Sequence, residues 1–302
     1  MEQINRKSTP LLASILKRKK EKADLDSGAS QNISTRVAAY VLLGLGSFTM
    51  LIPFLWMVST SLKSPAEAVA MPPVWIPQVF RIENFIEAFE VAPFGRYFLN
   101  SVLITALSTL GELLTTILAA FAFAKLKFYG KNLLFTILIA TMMVPGELLI
   151  IPNYLTISNM GLINTYAAMI IPYVASVFSV FMLKQNFESI PNELYYAAKV
   201  DGSNDFRFLW TILVPLSKSA IVAVAILKII GSWNAFMWPL IVTNETALRP
   251  LPVGLLAFTT EAGTHYQLLM AASAIVIAPM ILIYLFLQRY IIMGVAKSGL
   301  KG

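Results

Sequence analysis

The 302-residue chain contains no cysteine and a single histidine, His265. Disulfides, thiolate metal sites and a cysteine nucleophile are therefore excluded, and a histidine-cluster metal site nearly so. A lone histidine also leaves no nucleophile–base constellation. Charge is scarce: Asp, Glu, Lys and Arg make up 13% of the residues, against roughly 25% in a soluble domain. The phosphate loop Gly-x4-Gly-Lys-Ser/Thr is missing too. Gly294 and Gly299 have its glycine spacing, but Leu300 and Lys301 follow, so the backbone cradle and its lysine are absent. These absences exclude a soluble enzyme and give no sign of cofactor chemistry.

What is present is apolar. Hydrophobic residues make up 57% of the chain, and the mean hydropathy is +0.71. About 20 apolar residues cross a bilayer, and roughly 18 without charge nominate a span. Residues 37–62 carry no charge and 97–124 only Glu112. Residues 132–183 carry only Glu147, are too long for one helix, and divide at the polar, turn-rich 153–164. Residues 219–244 carry only Lys228, and 265–288 none. The expectation is an all-α polytopic membrane protein. Its six transmembrane helices fall near 37–62, 97–124, 132–152, 165–183, 219–243 and 265–288, within a membrane domain over 37–289.

The charges outside the spans set the topology. Eight Lys/Arg precede the first span, three lie between spans 2 and 3 (Lys125, Lys127, Lys131), four between spans 4 and 5 (Lys184, Lys199, Arg207, Lys218), and three after the last span, in Arg289 and the 290–302 tail (Lys297, Lys301). That places 18 on one side against four on the other, Lys63, Arg81, Arg96 and Arg249. The positive-inside rule then puts both termini in the cytoplasm. The net charge of +7 is thus a topology signal and does not point to nucleic acid. The first span is too long for a signal-peptide core and has no evident cleavage site. Residues 1–36 read as a basic cytoplasmic segment, either a topology determinant or a stretch lying on anionic lipid.

Inside the membrane, proline occurs in five of the six spans, at Pro53, Pro145 with Pro152, Pro172, Pro239 and Pro279. Each removes a backbone donor and kinks its helix. Pro145-Gly146-Glu147 is the strongest break, and it either lines a cavity with its carboxylate or is a structural kink. Ionisable groups at membrane depth are functional candidates. At 1.5 Å per residue, Lys228 lies about 14 Å, Glu112 about 18 Å and Glu147 about 23 Å from the cytoplasmic ends of their helices. Lys228 and Glu112 are closest in depth, so they form either a structural ion pair or part of a substrate or gating site. Gly231-Ser-Trp233-Asn234-Ala-Phe236-Met-Trp238-Pro239 mixes aromatics, an amide and small residues, as a neutral polar ligand requires. Trp238 fits an interfacial belt, while Trp233 and Asn234 lie deeper. Glu147, Tyr154, Tyr173, Trp233 and Asn234 are the candidate substrate-pathway residues.

The loop at 189–218 carries the most specific pattern. Pro191 suits a first helical turn, and 192–200 can form two turns closed by Gly202 in a left-handed cap. Ser203 then caps a second helix with Asp205 in its first turn. Phe206, Leu209, Trp210 and Leu213 recur there at helical spacing, and Pro215 ends or kinks that helix. The result is a rigid knob that suits either function or packing on the lipid surface.

Tyr196-Ala197-Ala198-Lys-Val-Asp201-Gly202, nine further residues and Ile212-Leu-Val-Pro215 resemble the signature loop of ABC importer permeases. That loop reads Glu-Ala-Ala, three residues, Gly, nine residues, Ile, any residue, Leu, Pro. Tyr196 replaces its Glu and Val214 its Leu, and Glu193 lies one turn before Tyr196. Further stretches resemble the carbohydrate, maltose-type branch: Met142-Met-Val-Pro-Gly-Glu147, Gly161-Leu-Ile-Asn-Thr165, Leu251-Pro-Val-Gly254 and the ending at 295–302.

The resemblance implies an ABC importer permease fold and a subunit that is not itself an enzyme. It implies a second permease in a heterodimer, two ATPase subunits that hold ATP and Mg, an extracytoplasmic sugar-binding protein and a bacterial cell membrane. The coupling residues it implies are Glu193, Tyr196, Ala197, Ala198, Asp201, Gly202, Ile212 and Pro215. The rival reading is an ion-gradient-driven secondary transporter using Glu112, Glu147 or Lys228; no inverted repeat is evident for it, and the knob would have no purpose.

Overall fold

The computed structural model describes residues 33–260 and 263–299. Residues 1–32 of the basic segment read at 1–36 and the end of the tail, 300–302, lie outside the described residues. By its contacts the chain divides into Met1–Trp56 and Met57–Gly302. The described part of the first unit is one helix, which starts at Ile33 and runs across the boundary to Ser61 with Pro53 inside it.

The second unit contains two long apolar helices, Phe94–Lys125 and Tyr266–Gly299. Between them the helices are broken. Lys131–Thr141 and Gly146–Asn159 meet at 93°, Tyr166–Tyr173 and Val177–Glu188 at 43°, and Asp205–Leu216 and Lys218–Trp233 at 81°. Three continuous helices and three bent pairs give up to six spans by length and composition.

Proline chemistry locates several breaks. Pro145 immediately precedes the 3-10 turn Gly146–Leu149. Pro172 lies in the 3-10 turn Ile171–Tyr173, and Pro239 in the first turn of Met237–Val242. A missing N–H costs least in a first turn, where no intrahelical acceptor exists. Pro53 and Pro279 lie instead inside continuous helices.

Two boundaries differ from expectation. The third span does not stop near 152: Ile150–Asn159 is helical through the polar run, with Pro152 in its first turn. Burial explains this, because Ile157 and Tyr154 pack on Ala168 and Trp238. The reversal comes later, at Gly161 (φ 69°) and Asn164 (φ 63°). The last helix is continuous to Gly299, so the 290–299 stretch expected as a separate tail is helical backbone. A two-residue antiparallel pair, Thr259–Thr260 with Gly263–Thr264, is the only sheet among the described residues.

The 189–218 loop forms the helix Asn192–Val200, with Pro191 at its cap position and not in its first turn. Gly202, at φ 78°, closes it. There the Ser203 N–H donates to the Ala198 carbonyl at 2.9 Å. Lacking a Cβ, glycine adopts this left-handed conformation freely. The second helix is capped by Asn204, not Ser203: the Arg207 N–H donates to Asn204 Oδ1 at 2.7 Å. Asp205–Phe208 then passes into a π turn, Leu209–Leu213. That turn spaces its bonds five residues apart and rephases the apolar stripe. Phe208, Leu209 and Leu213 are buried, Phe206 is exposed and Trp210 half-buried.

Candidate functional site

The knob is held from behind and open in front. Phe208, Leu209 and Leu213 pack with Ile117 and Phe121 of the second span and Leu183 and Phe187 of the fourth. Lys125, the last residue of the second-span helix, donates to the Ile190 carbonyl at 2.6 Å and to Asn192 Oδ1 at 2.9 Å. Across the two knob helices, Asp205 Oδ1 accepts from Tyr195 Oη and pairs with Lys199 Nζ, each at 2.6 Å. Burial and that hydrogen bond push the Tyr195 hydroxyl up to about 12, while the bonds from Lys199 and Tyr195 hold the Asp205 carboxyl low.

On the outward side, Glu193, Tyr196, Ala197, Asp201 and Gly202 are exposed, and Val200 is 88% exposed. The expected coupling residues therefore divide. Ala198 is buried in the cluster and the half-buried Ile212 packs against it, so both back the knob from its inner side. Pro215 is exposed near the 81° elbow. The sequence pattern missed Val200, although its position four residues after Tyr196 puts it on the same helical face.

Within the membrane-spanning part, Lys228 Nζ lies 2.9 Å from Glu112 Oε2. Ser179 Oγ donates to Glu112 Oε1 at 2.7 Å, and Lys228 donates to the Tyr173 carbonyl at 2.8 Å. That carbonyl lies at the break in the fourth span, where the next helix, Val177–Glu188, begins with Ser176 as its cap. Thr115 Oγ1 reaches the Val174 carbonyl of the same break at 2.5 Å. Groups freed by the broken helix are thus bonded by spans 2 and 5, as a low-dielectric interior demands. Gly111 permits the close approach, since a Cβ there would meet Val174 Cγ1 at 2.9 Å.

A cavity of about 490 Å³ adjoins this pair, bordered by Glu112, Tyr173, Ser179, Lys228, Ser232 and Trp238. Of the expected pathway residues, only Tyr173 borders it. Trp233 is 4% exposed, donates its indole N–H to the Val276 carbonyl at 3.2 Å and belongs to the hydrophobic core. Asn234 ends its helix, returning its amide to the Ile230 carbonyl. Glu147 sits on an exposed 3-10 turn and Tyr154 in the packing against Trp238. The break at 234–236 separates Trp233 from Trp238, so the two do not share one helical phase. Ser179 was overlooked in the sequence; serine just after the break marked by Pro172 was the available signal, whereas Ser232 lies before its break and carries no such mark.

Residues 112–297 match the family described as binding-protein-dependent transport system inner membrane component. The chain belongs to that family. It is 32% identical over 259 residues to the arabinooligosaccharides transport system permease protein AraQ of Halalkalibacterium halodurans, covering 85% of this chain and 93% of that one. It is 30% identical over 279 residues to the diacetylchitobiose uptake system permease protein NgcG of Streptomyces coelicolor, covering 91% and 92%. The fold is shared with a crystal structure of a bacterial ABC transporter involved in import of the acidic polysaccharide alginate: TM-score 0.76, 24% identity, 86% of this chain and 98% of that one. This permease is therefore an all-α, multi-pass membrane transport component and not an enzyme, and its relatives favour the importer reading over the ion-gradient carrier.

Proposed function

We propose that this chain is one permease of a heterodimeric, ATP-driven importer of oligosaccharides in a bacterial cytoplasmic membrane, with both termini in the cytoplasm. Its partners are a second permease, two ATPase subunits that bind ATP and Mg, and an extracytoplasmic sugar-binding protein. The sugar assignment draws on relatives named for arabinooligosaccharide transport and diacetylchitobiose uptake.

The observation that carries the reading is the knob's two-sided construction. Its inner face is locked to spans 2 and 4, while Tyr196 and Val200 present an exposed apolar strip. A strip of that kind suits an apolar cleft on another protein. Closure of the ATPase pair would press on the knob. Lys125 and the Phe121–Phe208 contact, centroids 6.4 Å apart, would pass the displacement to span 2, and the elbow before Lys218 would pass it to span 5. With Tyr196 in place of the signature glutamate, the exposed acidic groups left on that side are Glu193 and Asp201.

Co-purification with the ATPase tests this. Val200→Asp places a charge in the strip without touching the knob's inner face, and Gly202→Pro disrupts the left-handed closure. Both are expected to lose the ATPase while still inserting in the membrane. Unchanged ATPase binding in both would refute the assignment.

A further inference from the structure

Residues 63–93 join the first span to the second. Within them, residues 68–80 carry no charge, and Pro72, Pro73 and Pro77 have no N–H to satisfy. Met71, Trp75, Ile76, Val79, Phe80 and Ile82 are each between 60% and 89% exposed. Neighbouring apolar side chains left uncovered in this way mark an interaction surface.

The helix Glu83–Val91 continues that surface. Ile82, Ile86 and Phe89 share one face at helical spacing and are exposed, while Glu83, Glu87 and Glu90 lie on the adjoining face. The third face is turned inward. Ala88 belongs to one buried cluster with Leu268 and Ala272, and the Asn84 amide donates to the Ser61 and Lys63 carbonyls, each at 2.8 Å.

Hydrogen bonds fix the level of this stretch. Ser59 Oγ donates to the Trp75 carbonyl, and the Arg81 N–H donates to the Leu62 carbonyl at 2.9 Å. Ser59 and Leu62 belong to the end of the charge-free run 37–62. At about 1.5 Å per residue, Trp75 is therefore tied about 5 Å inside the end of that run. Leu268 and Ala272, on which Ala88 packs, likewise sit in the first two turns of the last long helix. The stretch thus lies where hydrocarbon gives way to headgroups, a depth that tryptophan favours. A soluble partner would have to enter the bilayer to cover Trp75. Over residues 69–91 one arginine stands against three glutamates, so attachment rests on apolar burial and not on attraction to anionic lipid.

We infer that residues 69–91 form a strap lying in the membrane interface, with Trp75, Ile76, Val79 and the Ile82–Ile86–Phe89 face in lipid and Glu83, Glu87 and Glu90 in water. The occupant of the apolar surface is the bilayer itself. Bonded to the end of the first span and packed on the start of the last, the strap sets the height of both helices in the membrane. This goes beyond the importer reading and holds whatever the solute.

Because the chain has no cysteine, one introduced thiol carries a nitroxide spin label at a single position. Ile76→Cys, Val79→Cys and Ile86→Cys sample the apolar surface, and Glu83→Cys and Glu90→Cys the acidic face, all at exposed positions. Each labelled permease is measured in its assembled complex, with cysteine-free partner subunits, in phosphatidylcholine bilayers. Collisions are recorded with oxygen, which concentrates in lipid, and with nickel(II) ethylenediaminediacetate, which stays in water.

Oxygen should dominate at Ile76, Val79 and Ile86, with the label at a depth of about 5–10 Å, and nickel should dominate at Glu83 and Glu90. Nickel dominating at any of the three apolar positions would put the surface in water, open to a soluble partner. Weak collisions with both reagents there would put it against protein, such as the second permease. Either result overturns the inference, as does oxygen dominating at either glutamate position.

Discussion

The ammonium of Lys228 sits 2.9 Å from the carboxylate of Glu112, with the two side chains only 11% and 6% exposed. The pair joins spans 2 and 5, and each partner makes a second bond to span 4, from Ser179 and to the Tyr173 carbonyl. Three spans are thereby tied at one point of the membrane domain. In an ion-coupled carrier such groups would need to exchange partners with a cation; here they bond to each other and to the break.

Breaking the pair leaves an uncompensated buried charge. Lys228→Met or Glu112→Lys is expected to destabilise the permease by about 3–5 kcal/mol. The swap Glu112→Lys with Lys228→Glu should recover only part of this, because a glutamate at 228 cannot donate to the Tyr173 carbonyl. Thermal unfolding of the purified single and double variants measures it. A swap no more stable than either single reversal would discard the pair as a stabilising contact.

Gly111 is the second support of the span 4 break. Gly111→Ala brings a methyl within 2.9 Å of Val174 Cγ1, a stiff β-branched side chain. Overpacking of this kind costs about 1–3 kcal/mol. Val174→Ala makes room, so the double variant should be more stable than the sum of the single effects allows. Strict additivity in a double-mutant cycle would contradict the contact.

The knob has a defined pH behaviour. The Asp205 carboxyl is held below its ordinary 3.8, mainly by the bond from Lys199 and then by that from Tyr195. Its stabilising contribution is therefore full above 3.8 and lost as the pH falls through the depressed value. The Tyr195 hydroxyl is raised from 10.0 to about 12, first by burial and then by its bond to Asp205. Its contribution is full below pH 10 and lost as the pH rises towards 12. Neither group titrates near neutrality, so knob protection against proteolysis should be flat from about pH 5 to 8. Tyr195→Phe should weaken that protection by about 1 kcal/mol throughout the same window. A step near pH 6 to 7 would assign the knob's stability to other groups.

The long apolar helices were legible because charge-free length is a composition property, and the two knob helices because their glycine and proline spacing is local. The interior of the spans was less so. Trp233 reads as a deep pathway residue and Trp238 as part of an interfacial belt, but the break at 234–236 puts Trp233 in one core cluster and Trp238 in another, where it also borders the cavity. The knob stripe was misphased because nothing in Leu209–Leu213 announces a π turn. Asn204 displaced Ser203 as the cap because both residues can cap and only the closure at Gly202 decides where the second helix begins. The Glu112–Lys228 contact was suggested by depth alone, which gave no hint that a backbone carbonyl would be its third member.

The central claim is that ATP hydrolysis on separate subunits, transmitted through the 189–218 knob, drives solute import by this permease. Import into proteoliposomes containing the full complex and its sugar-loaded binding protein tests it most directly. Uptake should require ATP, persist with a protonophore that collapses ion gradients, and fall to background with Val200→Asp. Uptake that continues without ATP and stops with the protonophore would contradict the account.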